Sequence, residues 1–310
     1  MLIALLWVAC RGDPPLRMVE GPTLTARDPA AVRFVALGDA GKANATQRQV
    51  GKAAVAYCAR RGCDFVVLLG DLVYPRGFDA PDDPDAEARI VDPYAAAGVP
   101  ILAVPGNHDY AHGSDRQRVE WLLDWAARRD DVVLPGHAWR ARVGDVHLVG
   151  LDTADAIRFG AEPQLGWLEA TLASMEAEER RPWIVAFGHH PRWSNGPHGN
   201  AGTYEGWSNI PWMSGTAVQR LLEPLESRAQ LYLAGHDHSR QLIDQNAMVQ
   251  IVSGAGASAT PIVDRGNTPR FARATAGFVW VEIGVETATI EFVSESGEVE
   301  STATIARDRD

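Results

Sequence analysis

Six positions in this 310-residue chain carry side chains with lone pairs suited to holding cations: Asp39, Asp71, Asn107, His189, His236 and His238. Five of them directly follow a glycine, and His238 stands two residues after His236. Together they offer carboxylate oxygens, an amide oxygen and imidazole nitrogens, and no thiolate. Such a mixed set suits zinc, manganese or iron. Six donors exceed one tetrahedral site, but they suit two ions roughly 3.5–4 Å apart that share a carboxylate. On a regular strand His236 and His238 would share a face, whereas at a strand end they can diverge toward two ions. A paired-cation site lowers the pKa of a bound water and polarises a bound substrate, which is the chemistry of hydrolysis.

These residues need elements that deliver them to one place. From residue 31 the chain alternates short apolar runs with helical spacing. The runs 31–37, 65–69, 101–104, 183–187 and 231–234 lead into Gly38-Asp39, Gly70-Asp71, Gly106-Asn107-His108-Asp109, Gly188-His189-His190 and Gly235-His236-Asp237-His238; residues 146–151 form a further run. Val50, Ala53, Ala54 and Tyr57 have helical spacing within 46–60, and another helix is expected near 164–177. Continuous apolar strands between helices imply a sheet buried on both faces. Ligands bind at the carboxyl ends of such strands, so one rim would collect all six donors. Residues 249–252, 278–283, 288–293 and 302–306 read as strands with little helix between them, hence a second sheet or an antiparallel extension.

Composition narrows the function classes. The chain has 29 Lys+Arg against 40 Asp+Glu, a net charge of −11, with 46% hydrophobic residues. That is globular composition, and without a basic stripe it argues against nucleic acid as a partner. Three cysteines are too few for a disulfide framework. Residues 1–9 are almost wholly apolar and too few to span a bilayer. With Cys10 they read as a signal segment, and Leu6-Trp7-Val8-Ala9-Cys10 resembles a bacterial lipobox, whose cysteine becomes lipidated. Residues 11–30, with Pro14, Pro15, Pro22 and Pro29, read as a flexible tether, and 31–310 as one domain. The expected location is extracytoplasmic, secreted or lipid-anchored at Cys10. In that compartment Cys58 and Cys63 could close a small disulfide loop; two buried thiols are the alternative.

Five blocks in chain order, Gly38-Asp39-Ala40-Gly41, Gly70-Asp71-Leu72-Val73-Tyr74, Gly106-Asn107-His108-Asp109, Gly188-His189 and Gly235-His236-Asp237-His238, resemble the motif series of the calcineurin-like metallophosphoesterases. Tyr74 narrows the resemblance to purple acid phosphatases. Residues 164–168, 188–194 with His198-Gly199, and 252–256 are similar to the small, tartrate-resistant type. The resemblance covers residues 31–310. It implies an α/β fold, a four-layer αββα sandwich of two mixed β-sheets flanked by helices.

It further implies hydrolysis of small phosphate monoesters by a metal-bridged hydroxide at a binuclear Fe(III)–M(II) site. Fe(III) would take Asp39, Tyr74 and His238. A second ion, Fe(II), Zn or Mn, would take Asn107, His189 and His236, with Asp71 shared between them. His108 would bind a phosphate oxygen or assist the leaving group, Asp109 would orient His108, and His198 would help protonate the leaving alkoxide. The alternatives are a phosphodiesterase or nucleotide hydrolase of the same superfamily, and more distantly a non-catalytic envelope binding protein, whose mark would be missing ligands. His190 stands where the family often has Tyr and reads as pocket lining. His112 reads as a loop residue, and His137 and His147 as structural. Trp193, Trp207 and Trp212 either shape a cleft or pack. Only about a dozen residues separate Asp152 from Gln164, too few for the longer regulatory loop of the mammalian enzymes.

Overall fold

The computed structural model describes residues 14–111, 115–206, 210–245 and 248–307. The lipobox-like segment with Cys10, His112, Trp207 and the side chain of Trp212 lie outside the described residues. In chain order the strands are β1 (Met18–Leu24), β2 (Val32–Leu37), β3 (Phe65–Leu69), β4 (Ile101–Val104), β5 (Val132–Val133), β6 (Ala138–Val143), β7 (Val146–Gly150), β8 (Trp183–Phe187), β9 (Leu231–Ala234), β10 (Arg240–Gln245), β11 (Met248–Ser253), β12 (Phe271–Arg273), β13 (Gly277–Ile283), β14 (Thr287–Ser294) and β15 (Val299–Ala306). The α-helices are α1 (Ala45–Arg61), α2 (Arg116–Ala126), α3 (Thr153–Phe159), α4 (Glu162–Glu176), α5 (Pro211–Ser214) and α6 (Thr216–Leu222).

The strands make two mixed sheets. One runs β15-β14-β13-β2-β3-β4-β5, the other β1-β6-β7-β8-β9-β11-β10-β12. In the first, β2 to β5 are parallel and β13 to β15 extend them antiparallel. In the second, β7, β8, β9 and β11 form the parallel centre. The late strands therefore answer both readings: β11 completes the second sheet, and β13 to β15 extend the first.

Aromatic side chains join the two inner faces. Phe34 on β2 stacks on Phe65 at 4.9 Å and meets Phe187 of β8 edge-on at 6.0 Å. The indole N–H of Trp139 donates to the Ala103 carbonyl across the same interface (3.0 Å). Outside the first sheet, Tyr57 of α1 packs on Phe278 and Trp280. Outside the second, Leu168 and Leu172 of α4 and Val218 and Leu221 of α6 bury against Ile184, Ala186 and Tyr232. Asn44 caps α1 by accepting the Gln47 N–H (2.8 Å). A Cys58–Cys63 disulfide closes the corner into β3.

One expectation is corrected. Residues 18–24 are not tether but β1, parallel to β6 at the edge of the second sheet. Gly21 and Pro22 hid it, and the register shifts between Glu20 and Thr23, where they sit. An edge strand tolerates proline because one row of its N–H groups needs no partner. No helix among the described residues is long and apolar enough to cross a membrane.

Candidate metal centre

β2, β3 and β4 bring Asp39, Asp71 with Tyr74, and Asn107 with His108 from the first sheet; β8 and β9 bring His189, His236 and His238 from the second. The donors thus converge where the carboxyl ends of both sheets meet. Three of them turn sharply: Asp39, Asp71 and His236 have φ of 57°, 55° and 68°. Left-handed backbone costs a non-glycine residue about 1–3 kcal/mol and collects at functional sites. The glycines before them are sterically required. A Cβ on Gly70 would lie 2.5 Å from His189 Nδ1, and one on Gly235 would lie 2.6 Å from Asp39 Oδ2.

All seven expected ligands come together, in two groups around Asp71. In the first, the Tyr74 hydroxyl lies 2.7 Å from Asp71 Oδ2, 3.2 Å from Asp39 Oδ1 and 3.3 Å from His238 Nε2. In the second, Asn107 Oδ1 lies 3.0 Å from His189 Nε2 and 3.1 Å from His236 Nδ1. Asp71 turns Oδ2 to the first group and Oδ1 to the second, 3.5 Å from His189 Nε2. His189 Nδ1 faces the Leu69 carbonyl at 2.9 Å and must donate to it, which leaves the Nε2 lone pair for the centre. The backbone N–H of His236 donates to Asp39 Oδ2 (2.7 Å) and ties the two sheets together at the site.

The electrostatics suit cations. Burial, then the Asp39 and Asp71 charges, push the Tyr74 phenol far above its ordinary range. Only positive charge placed among these oxygens reverses that. Burial raises the Asp39 carboxyl, but the His238 and His189 charges outweigh it and hold the group below the usual range. Burial pushes the His236 imidazole well down, favouring the neutral ring, the form that ligates. An oxygen-rich group and a nitrogen–amide group sharing one carboxylate fit two ions of different hardness.

The surrounding residues depart in part from expectation. His108 donates from Nδ1 to the Pro75 carbonyl (2.7 Å), with Nε2 3.8 Å from Asp71 Oδ2. The Asp109 carboxylate is turned to the backbone instead, accepting N–H from Leu72 (3.0 Å), Val73 (3.1 Å) and Gly106 (2.8 Å). It fixes the ligand-bearing loops rather than the His108 ring. His198 lies over His236 with ring centroids 4.1 Å apart, and its Nδ1 meets Glu205 Oε1 at 2.8 Å. His137 and His147 lie elsewhere, against Arg17 and Glu178. Trp193 joins the apolar cluster of the second sheet. Sequence reasoning missed Ser258, whose hydroxyl meets His238 Nδ1 at 2.9 Å, and Lys42, which donates to Ser258 (2.7 Å) and lies over the Tyr74 ring. Neither has a motif signal.

Residues 32–240 match the family described as calcineurin-like phosphoesterase. The chain is 26% identical over 309 residues to tartrate-resistant acid phosphatase type 5 of Rattus norvegicus, covering 86% of this chain and 88% of that protein. It is also 26% identical over 299 residues to purple acid phosphatase 4 of Arabidopsis thaliana, covering 86% and 81%. Two solved structures share the fold. GAP50, the anchor in the inner membrane complex of Plasmodium, has a TM-score of 0.72 at 20% identity, with 90% of each chain covered. Purple acid phosphatase PPD1 from yellow lupin (Lupinus luteus) seeds has 0.67 at 18%, covering 91% of this chain and 55% of that one. Fold alone does not choose between an anchor and an enzyme.

Proposed function

The chain belongs to the calcineurin-like phosphoesterase family and is a metal-dependent phosphatase, and from that premise we propose a phosphomonoesterase of purple acid phosphatase type with a binuclear Fe(III)–M(II) centre. The observation that carries this is the Tyr74 hydroxyl among Asp39, Asp71 and His238. A hard phenolate with two carboxylates favours Fe(III). Asp39, Tyr74 and His238 would hold it; Asn107, His189 and His236 would hold Fe(II), Zn or Mn; Asp71 would serve both. When bound, the pair supplies an activated water and neutralises phosphoryl charge. His108, whose Nδ1–H is pinned by the Pro75 carbonyl, would turn Nε2 to a phosphoryl oxygen and, as the imidazolium, donate to it. His198, steadied by Glu205, would give a proton to the leaving alkoxide oxygen.

The Cys58–Cys63 disulfide supports an extracytoplasmic location. We extend the proposal to a signal segment over residues 1–10, lipidation at Cys10 and one catalytic domain after it; mass analysis of the mature N-terminus tests that part. For the centre, elemental analysis and a visible spectrum of protein purified without chelator are expected to give two metals, one of them iron, with a purple band. Tyr74→Phe should abolish the band. Full colour and metal load in that variant, or turnover of diesters in preference to monoesters, refutes the assignment.

A further inference from the structure

His190 carries an imidazole that the roles above leave unused. It is buried, 3% exposed. Its ring centroid lies 4.3 Å from that of His236 and 4.9 Å from that of His189. One nitrogen of each of the three rings lies within 4.8 Å of the others. Such a ring could ligate a cation or donate a hydrogen bond to an anion. The two roles need opposite tautomers at the nitrogen left for the centre.

Thr153, the first residue of α3, decides between them. Its Oγ1 accepts the backbone N–H of His189 (3.2 Å) and of His190 (3.0 Å). A hydroxyl has two acceptor positions and one proton, so its proton goes to the remaining contact, His190 Nδ1 at 2.9 Å. Nδ1 therefore accepts, and in the neutral ring Nε2 carries the hydrogen. An Nε2–H cannot bind a cation, but it can donate to an oxygen of a phosphoryl group.

We propose that His190 is a substrate-binding residue whose Nε2–H donates to a phosphoryl oxygen on the His189–His236 side of the centre. This rests on the phosphatase reading. Metal-loaded protein titrated with inorganic phosphate by calorimetry tests it, together with metal analysis. His190→Asn keeps an acceptor for Thr153 and lacks the Nε2 donor; His190→Phe lacks both; His190→Gln restores an amide N–H at nearly the same reach. Asn and Phe are expected to keep two metals, weaken phosphate about tenfold and raise KM more than they lower kcat, and Gln to recover most of the loss. Loss of a metal equivalent in the Asn or Phe variant overturns the proposal, because the ring would then be a ligand. Unchanged phosphate affinity in both overturns it as well. Wild-type protein that takes up metal but binds no phosphate would instead fail the phosphatase reading, and this proposal with it.

Discussion

Asp109→Asn separates a loop-fixing carboxylate from one that orients His108. Asp109 is buried; Oδ1 accepts from Leu72 and Val73, and Oδ2 accepts from Gly106. Asparagine keeps one oxygen. Set toward Leu72 and Val73, its amide N–H₂ then faces the Gly106 N–H, donor against donor. Losing one charge-assisted hydrogen bond costs about 1.5–3 kcal/mol, and an orphaned buried N–H adds about 1–3 kcal/mol. Part of this is offset, because burial and then the Asp71 charge push the Asp109 carboxyl up to about 7, so the wild-type carboxylate is itself costly near neutrality. A net loss of about 2–3 kcal/mol follows, which in a chain of this length is a drop in Tm of about 3–5 °C. Leu72 and Val73 adjoin Asp71, and Gly106 adjoins Asn107, so the same change should weaken metal retention about 10–100-fold. Thermal melts of metal-free and metal-loaded protein, with chelator competition, measure both effects. Unchanged Tm and metal retention with a fall only in turnover would refute the loop-fixing role and return Asp109 to His108.

Other perturbations follow from the same geometry. His198→Asn should slow alkyl phosphates about 10²-fold and aryl phosphates far less, because only the alkoxide needs the proton; equal losses on both would exclude the role. Cys58→Ser opens a small loop whose closure is worth about 2 kcal/mol, so its urea midpoint should fall and reductant should lower the wild-type midpoint equally; two unchanged midpoints contradict this. His137 is buried, and burial, then the Arg116 and Arg17 charges, push its imidazole down to about 3. Between the unfolded value near 6.5 and that folded value, only the unfolded chain takes the proton. Stability therefore falls as pH drops through this window, by up to ~1.4 kcal/mol per unit. His137→Asn, which keeps an acceptor for the Arg17 N–H, should flatten that slope in acid titrations followed by circular dichroism. A slope as steep as the wild type's would place the acid sensitivity elsewhere.

The parallel strands β3, β4, β8 and β9 are legible because no charged residue interrupts them. β3, β8 and β9 are buried along their whole length and end at glycine. The less legible elements carry mixed signals. β6 alternates, with Arg140 and Arg142 turned outward, so it lacks the continuous apolar run of its neighbours. β10 contains Arg240, a charge that composition would put outside. Its guanidinium is buried, donating to the Thr275 and Val293 carbonyls and pairing with Glu300. Those partners lie 35 to 60 residues onward, so the local pattern could not announce them. The assignment of β11 and β13 to different sheets was hidden for the same reason. Both are apolar, and only their pairing with β9 and β2 separates them.

The site divides along a similar line. Ligand identity is legible because few side chains can hold a cation, and glycine spacing marks the turns that aim them. What neighbouring residues do is not carried by adjacency. Asp109 follows His108, yet the turn sends its carboxylate beneath the loop to Leu72, 37 residues away. His189 and His190 are also adjacent, and both rings face the centre, 85° apart in plane. One ring is fixed as an acceptor toward the centre by the Leu69 carbonyl, the other as a donor by the Thr153 hydroxyl. Identical side chains thus receive opposite roles from partners on different elements, the end of β3 and the start of α3. A carbonyl can only accept and a saturated hydroxyl can only donate, so the difference between a metal ligand and a phosphate donor lies in the neighbouring group and not in the histidine.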